Sequence, residues 1–351
     1  MRFVWFFFLF GEALFAKEKV DFLFYLQDAG ETNALLPVVE ALEEEGFTLA
    51  ILVGGTAEDL VRGLNHSVWT FPDFGGEPIL KSWERERKIE PAVLERLRDE
   101  IEPKAVVTGV AFAAQGQVLD LYPERPTFAF WDNFNSNGDN PYFSTGRKVA
   151  MKASTLLLPC SSVEEDFHGS NLKKVVGHPC IEKWRHEIDP NGEGSAVFIG
   201  SYGEEYEEAF SLFLDCAEVS GRSFLVLLHP KTDGFFERAL LTQRAGLPVR
   251  IATGKSTIGW VSQANLVVCH QSSVAFQALA CGKPVIHVIP KGQFFESLPL
   301  KKGMVQKVAS PEEFCRALGE TKSLQPEIFD QIMGIPKDCT ARFVEILIEE
   351  I

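Results

Sequence analysis

Closely spaced cysteines are missing from this sequence. The seven stand at 160, 180, 216, 269, 281, 315 and 339, and no two lie within ten residues of each other. That spacing excludes CxxC redox and zinc-knuckle motifs, and the odd count reads as reduced, mostly buried thiols. Familiar catalytic signatures are lacking too. No GxGxxG, GxSxG or HExxH occurs, which removes the commonest dinucleotide, serine-hydrolase and zinc-protease readings. Gly254-Lys255-Ser256-Thr257 resembles the end of a phosphate-binding loop, but Val249 stands where that loop's first glycine belongs. The run Asn133-x-Asn135-x-Asn137-Gly138 resembles part of a calcium loop, yet no Asp opens it and Ser144 holds its twelfth position. A calcium ion there would be short of negative ligands, and no metal site is expected. Basic residues are scarce: 34 Lys and Arg against 49 Asp and Glu give a net charge of −15. Such a surface repels nucleic acid over most of its area, so nucleic acid is not an expected partner. A small anion is still compatible, because backbone N–H groups in one cleft can hold it.

Apolar runs are short. Residues 1–18 form an apolar N-terminal segment with a basic start, a run at 3–10, and Gly11-Glu12-Ala13 as a small-x-small site. The run is too short to cross a bilayer as a helix. It reads as a signal peptide over 1–16, an interfacial anchor, or an arm packed on the fold. The reduced thiols point to the cytoplasm, with peripheral membrane contact as the alternative.

What is present is a chain of 351 residues, 46% hydrophobic and 24% charged, too long for one comfortable core. Apolar runs at 20–26, 47–53, 68–71, 105–110, 127–131, 155–158 and 174–176 alternate with helical patterns such as 31–45 and 91–101. The segment 178–194, with two prolines, two glycines and no apolar run, reads as a connection between domains. Strand runs resume at 196–199, 224–228, 249–252, 266–269 and 284–289, with helices at 204–219, 235–244, 258–263 and 274–280 between them and at 311–318 and 341–350 after them. Continuous rather than alternating apolar runs suit strands buried on both faces. The expected fold is therefore α/β, with two tandem Rossmann-like, doubly wound parallel-sheet domains. The first spans 19–178, a linker 179–194, and the second 195–351 with its C-terminal helices, the last of which has the option of packing back across the first domain. Ligands of such folds bind at strand C-terminal ends.

Several residues fall at those ends. His270-Gln271 leads into Ser272-Ser273 at a helix start, where serine side chains and free N–H groups make an anion site or simply cap the helix. Gln277 follows one turn later. Gly200-Ser201 turns from a strand into an acidic helix, and His229 and Lys231 follow another strand. On the first domain, Gly30, Glu31 and Asn33 follow the first strand, and Trp131, Asp132 and Asn133 follow 127–131. The helix dipole is expected to keep Glu31 ionised. Trp131 offers either a sugar-stacking face or a core residue.

The run from Ser272 through Gln277-Ala278-Leu279-Ala280-Cys281-Gly282-Lys283-Pro284-Val285 resembles the donor-binding segment of GT-B glycosyltransferases and the related UDP-N-acetylglucosamine 2-epimerases. Gln277 stands where that family has Glu; an amide keeps an acceptor oxygen but lacks the charge. Leu228-His229-Pro230-Lys231, Val176-Gly177-His178-Pro179 and the turn from Asp28 to Ala34 are similar to further family positions. The resemblance implies a GT-B fold and metal-independent transfer of a sugar from a nucleotide-sugar donor, UDP-linked, with no further cofactor. The acceptor would be an unknown glycan or lipid-linked molecule of cell-envelope glycan synthesis. Epimerisation and non-catalytic nucleotide-sugar binding are the alternatives. It places the donor on Gly200, Ser201, His229, Lys231, Ser272, Ser273 and Gln277, and the acceptor by Gly30, Asn33, Trp131 and Asn133. A base is expected among Glu31 and Asp132, with His178 next.

Overall fold

A computed structural model describes residues 17–62, 67–81, 84–135, 141–169 and 171–351. The apolar segment 1–16 and the asparagine-rich stretch 136–140 lie outside the described residues. The first sheet contains Glu18–Leu26 (β1), Leu49–Val53 (β2), Ser67–Thr70 (β3), Ile101–Thr108 (β4), Thr127–Phe130 (β5), Thr155–Leu158 (β6) and Leu172–Val175 (β7). All pair in parallel, in the order β3-β2-β1-β4-β5-β6-β7. The central strand shows why the continuous apolar run was informative. Phe22 to Leu26 are all fully buried, because helices cover both faces.

The second sheet contains Ala196–Ile199 (β8), Phe224–Leu227 (β9), Val249–Ile251 (β10), Val267–Cys269 (β11), Val285–Val288 (β12) and Gln306–Val308 (β13). It is also parallel, in the order β10-β9-β8-β11-β12-β13. In both sheets the winding reverses beside the first strand, between β1 and β4 and between β8 and β11. Loops leave in opposite directions there and open a crevice at the strand C-terminal ends. The edge strand β13 has no apolar run of its own, Gln-Lys-Val being half-exposed on one side, so hydrophobic patterning does not mark it.

The segment expected to be a linker carries more structure than its composition implies. Pro179–Glu187 is a helix with Pro at its first turn, and it buries Pro179, Cys180, Ile181 and Trp184. This connecting helix packs on the helix Ala29–Glu44 of the first sheet and on the helices Thr257–Gln263 and Ser273–Ala280 of the second. Arg185 holds it to the C-terminal region: the guanidinium donates to Asp330 at 2.8 and 2.6 Å, and its Nε donates to the Ala280 carbonyl at 3.1 Å. The last helix, Cys339–Ile348, returns to the first domain, packing on Ala29–Glu44 with the Phe343 ring 5.3 Å from Phe130. Glu182 caps its start, accepting from the backbone N–H groups of Cys339 and Thr340 and from the Thr340 hydroxyl.

The Arg185–Asp330 pair is three-quarters buried and bidentate. Arg185→Ala leaves Asp330 buried without its partner and is expected to cost about 2–4 kcal/mol. Arg185→Lys, which keeps charge but loses the fork, is expected to recover only part of this. Denaturant midpoints of the three proteins check it.

Candidate functional site

The two crevices face each other across one cleft of about 1220 Å³. From the second domain come the turn after β8 (Ser201, Tyr202, Gly203), His229 and Lys231 after β9, and His270 to Ser273 after β11. From the first domain come Leu80, Lys81, Glu84 to Glu86, and Phe112. Five of the seven residues expected on the donor side, Ser201, His229, Lys231, Ser272 and Ser273, thus share one wall. Ser272 caps the helix Ser273–Ala280, its hydroxyl accepting from Val274 N–H at 3.3 Å, and Ser273 is exposed beside it. Within that turn Val274 N–H donates to the Ser272 hydroxyl and Ala275 N–H to the Ser272 carbonyl, and the positive end of the helix dipole beside the cleft favours an anion.

The other two donor candidates play different parts. Gly200 donates its N–H to Leu227 O at 2.7 Å, and a Cβ there would stand 2.7 Å from the same oxygen. Close strand approach requires that glycine, which does not line the cleft. Gln277 is buried and turned toward the connecting helix, its amide donating to Cys180 Sγ at 3.5 Å. Helical phase places the residue four positions into the helix on its inner face, so Gln277 meets the domain junction rather than the cleft.

His229 is neutral. Its Nδ1 accepts from Lys231 N–H at 3.1 Å, and burial together with the Lys231 charge pushes its pKa down to about 4. The remaining proton therefore sits on Nε2, and the ring offers a neutral donor. Lys231 Nζ lies 3.7 Å from Asp28 of the first domain and 5.4 Å from the Tyr202 ring. Asp28 also faces Arg85 at 3.6 Å. The Arg85 guanidinium is stacked between the Phe112 and Tyr142 rings, at 5.0 and 5.1 Å, with a hydrogen bond to Ala111 O at 3.0 Å. Arg85 was not singled out from sequence, and Asp28 entered only as the start of the turn to Ala34, without a role of its own. Arg85 lies within an alternating charge run, Glu84 to Lys88, that reads as a solvated face.

Behind this wall lies a carboxyl pair. Glu31 is 1% exposed. Its Oε1 accepts from Gln27 N–H at 2.7 Å, Asp28 N–H at 3.0 Å and Gln115 Nε2 at 2.6 Å, whereas its buried Oε2 has no hydrogen-bond partner among the described residues. That orphan oxygen lies against Gly109, where a Cβ would collide with it. Asp132 Oδ2 lies against Gly30 in the same way, and Asp132 Oδ1 accepts a short hydrogen bond from the Tyr142 hydroxyl. Two glycines thus leave room for two carboxyls. Burial raises Glu31 to about 8, reinforced by the Asp132 charge, and raises Asp132 to about 6. The expectation that the helix dipole keeps Glu31 ionised is overturned: desolvation outweighs the dipole, and Glu31 is protonated at neutral pH. Asp132 is mostly ionised there.

The remaining candidates are structural in their contacts. Trp131 is fully buried, donates to Asn135 O at 2.9 Å and packs on Phe167 at 4.7 Å, so it offers no open face to a sugar. Asn133 closes a local turn by accepting from Asn135 N–H at 2.9 Å. Asn33 is exposed and spends its amide on Ala29 O at 2.8 Å. His178 is buried at the start of the connecting helix, hydrogen-bonds the Asp132 carbonyl through Nε2 at 3.1 Å and stacks on Phe134. Burial lowers its pKa to about 4, which suits a hinge residue better than a base. Among the described residues no group of three or more His, Cys, Asp or Glu could hold a metal ion. None of the helices searched is long and apolar enough to cross a membrane.

Paired parallel sheets with a cleft between their switch points define the GT-B type of two-domain α/β fold. The chain superposes on UDP-GlcNAc 2-epimerase from Neisseria meningitidis bound to UDP-GlcNAc with a TM-score of 0.67 at 13% identity, over 95% of this chain and 100% of that one. The S. aureus MnaA–UDP co-structure gives 0.67 at 12% identity, over 94% and 98%. Acinetobacter baumannii MurG gives 0.58 at 13% identity, over 94% and 99%. At such identities the likeness is one of fold. No protein-family model and no curated protein matches the chain.

The raised carboxyl pKa has a signed consequence. The folded state holds the Glu31 proton between pH about 4.5, its ordinary value, and about 8, whereas the unfolded state releases it. Stability therefore falls as pH rises through that window. Glu31→Gln keeps the acceptor oxygen and removes the titration, so its advantage over wild type is expected to grow from pH 5 to pH 9. Denaturant midpoints across that range test it; a constant difference would rule out a buried protonated Glu31.

Proposed function

We propose that the chain binds a UDP-linked sugar in the interdomain cleft and transfers its glycosyl group to an acceptor hydroxyl. The observation that carries the reading is the convergence on one cleft wall of a serine-capped helix N-terminus, Lys231 and the neutral His229 donor. Such a set stabilises a leaving diphosphate without a metal. The solved neighbours named as UDP-GlcNAc or UDP complexes support a nucleotide sugar as the ligand. In this reading Ser272, Ser273 and Lys231 hold the diphosphate. Arg85, fixed by two rings, meets the same ligand from the opposite domain. Asp132, ionised next to the Tyr142 hydroxyl, is the base, and protonated Glu31 keeps a second negative charge away from it. A glycan or lipid-linked acceptor fits the first-domain side.

The two carboxyls, poised near 6 and 8, equally suit a reaction that removes and returns a proton. Epimerisation of the sugar nucleotide is therefore the second reading. Release of UDP only when acceptor is added supports transfer; interconversion of the sugar without acceptor supports epimerisation.

Saturating UDP, at about 100 times Kd, is expected to stabilise the protein by about 2.7 kcal/mol in thermal melts. Lys231→Ala is expected to weaken UDP binding about 10–100-fold and uridine binding far less, because the lost charge faces phosphate. The Ser272→Ala, Ser273→Ala double variant shifts the same ratio in the same direction. Asp132→Asn is expected to lower kcat about 10²–10⁴-fold with UDP affinity near wild type. Equal losses for UDP and uridine would reduce the serines to plain helix caps, and full turnover by Asp132→Asn would move the base elsewhere.

A further inference from the structure

Beside the cleft lies a second cavity of about 350 Å³, sharing with it only the turn Ser201–Gly203. Its walls come from the first turns of the helices Glu204–Ser220 and Phe235–Gln243. Phe236 and Tyr206 line it as a pair of rings 6.4 Å apart at 63°. Phe235 stands on its rim, 75% exposed, although it opens a helix whose next residue turns inward. Glu237 is only 2% exposed, yet it lines the cavity, its Oε1 accepting from the Tyr206 hydroxyl at 2.9 Å. Glu207 and Asp233 add two more carboxylates, and among the described residues no Lys or Arg lines the space.

We infer that this cavity is a saccharide subsite that takes a neutral or amino-substituted hexose ring. Aromatic rings accept the apolar C–H face of a sugar, and carboxylates accept hydrogen bonds from its hydroxyls. The volume falls at the small end of ligand pockets and suits a single ring. Three carboxylates without a cation repel phosphate, which separates this subsite chemically from the cleft, where Lys231 and a helix N-terminus favour it. An ammonium on the ring adds attraction to the same groups. The reading adds a second ligand to the one proposed for the cleft and does not depend on which reaction occurs there.

Titration calorimetry on the full chain, with glucose, glucosamine, glucose 6-phosphate and spermidine, each with and without saturating UDP, tests this. The expected result is saturable hexose binding that UDP leaves in place, with glucose 6-phosphate at least about tenfold weaker. Phe235→Ala, at an exposed ring that the fold does not need, and Glu237→Gln are each expected to weaken hexose binding about tenfold while UDP affinity is unchanged. Absence of saturable hexose binding overturns the proposal. So does displacement of hexose by UDP, full hexose affinity in both variants, or spermidine binding without hexose binding. Failure of UDP to bind would count against the nucleotide-sugar reading of the cleft and leave hexose binding as the measure of this one.

Discussion

The connecting helix Pro179–Glu187 is the constraint on which the rest of the molecule depends. It touches helices of both sheets, and its two charged anchors act in opposite directions. Arg185 ties it to Asp330 and Ala280 on the second-domain side, whereas Glu182 caps the returning helix that packs on the first. Buried Cys180 and Trp184 fill the space between. Because both crevices open toward this junction, its packing sets the distance between Arg85 on one wall and Ser272 and Ser273 on the other. A bond from Leu298 N–H to Asn135 Oδ1, at 2.9 Å, adds a further tie between the domains.

Within the first domain the decisive balance is between desolvation and charge. Glu31 sits at a helix start, where a dipole favours the anion, yet it receives hydrogen bonds on only one oxygen and is sealed from water. The dipole is worth on the order of 1 kcal/mol, less than the cost of burying an incompletely solvated carboxylate. The proton therefore stays, and the neighbouring Asp132 can ionise. Gly30 and Gly109 make that proximity possible, since a methyl group at either position would occupy the place of a carboxyl oxygen. Asp28, one turn outward and partly exposed, carries the charge that meets Lys231 and Arg85 instead.

Across the cleft the same economy of cations appears. A chain of net charge −15 places Lys231, Arg85 and Lys81 around one opening, beside Glu84, Glu86 and Glu205, while the charged residues that line the adjoining cavity are all acidic. Local charge, rather than the average, decides what each space can receive.

Much of the architecture was legible in the residues. Short apolar runs located twelve of the thirteen strands among the described residues; β13 escaped because Gln306 and Lys307 leave it no apolar run. Ser201, His229, Lys231, Ser272 and Ser273 could be placed on one wall because strand ends converge by topology, whatever their side chains do. Helical phase, domain packing and solvation are not written in any local pattern. Only the tertiary structure turned Gln277 toward Cys180, sealed Trp131 into the core, made a packed helix of the connection at 179–187 and brought Arg85 to the cleft. It also reversed the charge state of Glu31. Local sequence fixes which groups lie at strand ends; long-range burial decides which of them meet water, a proton or each other.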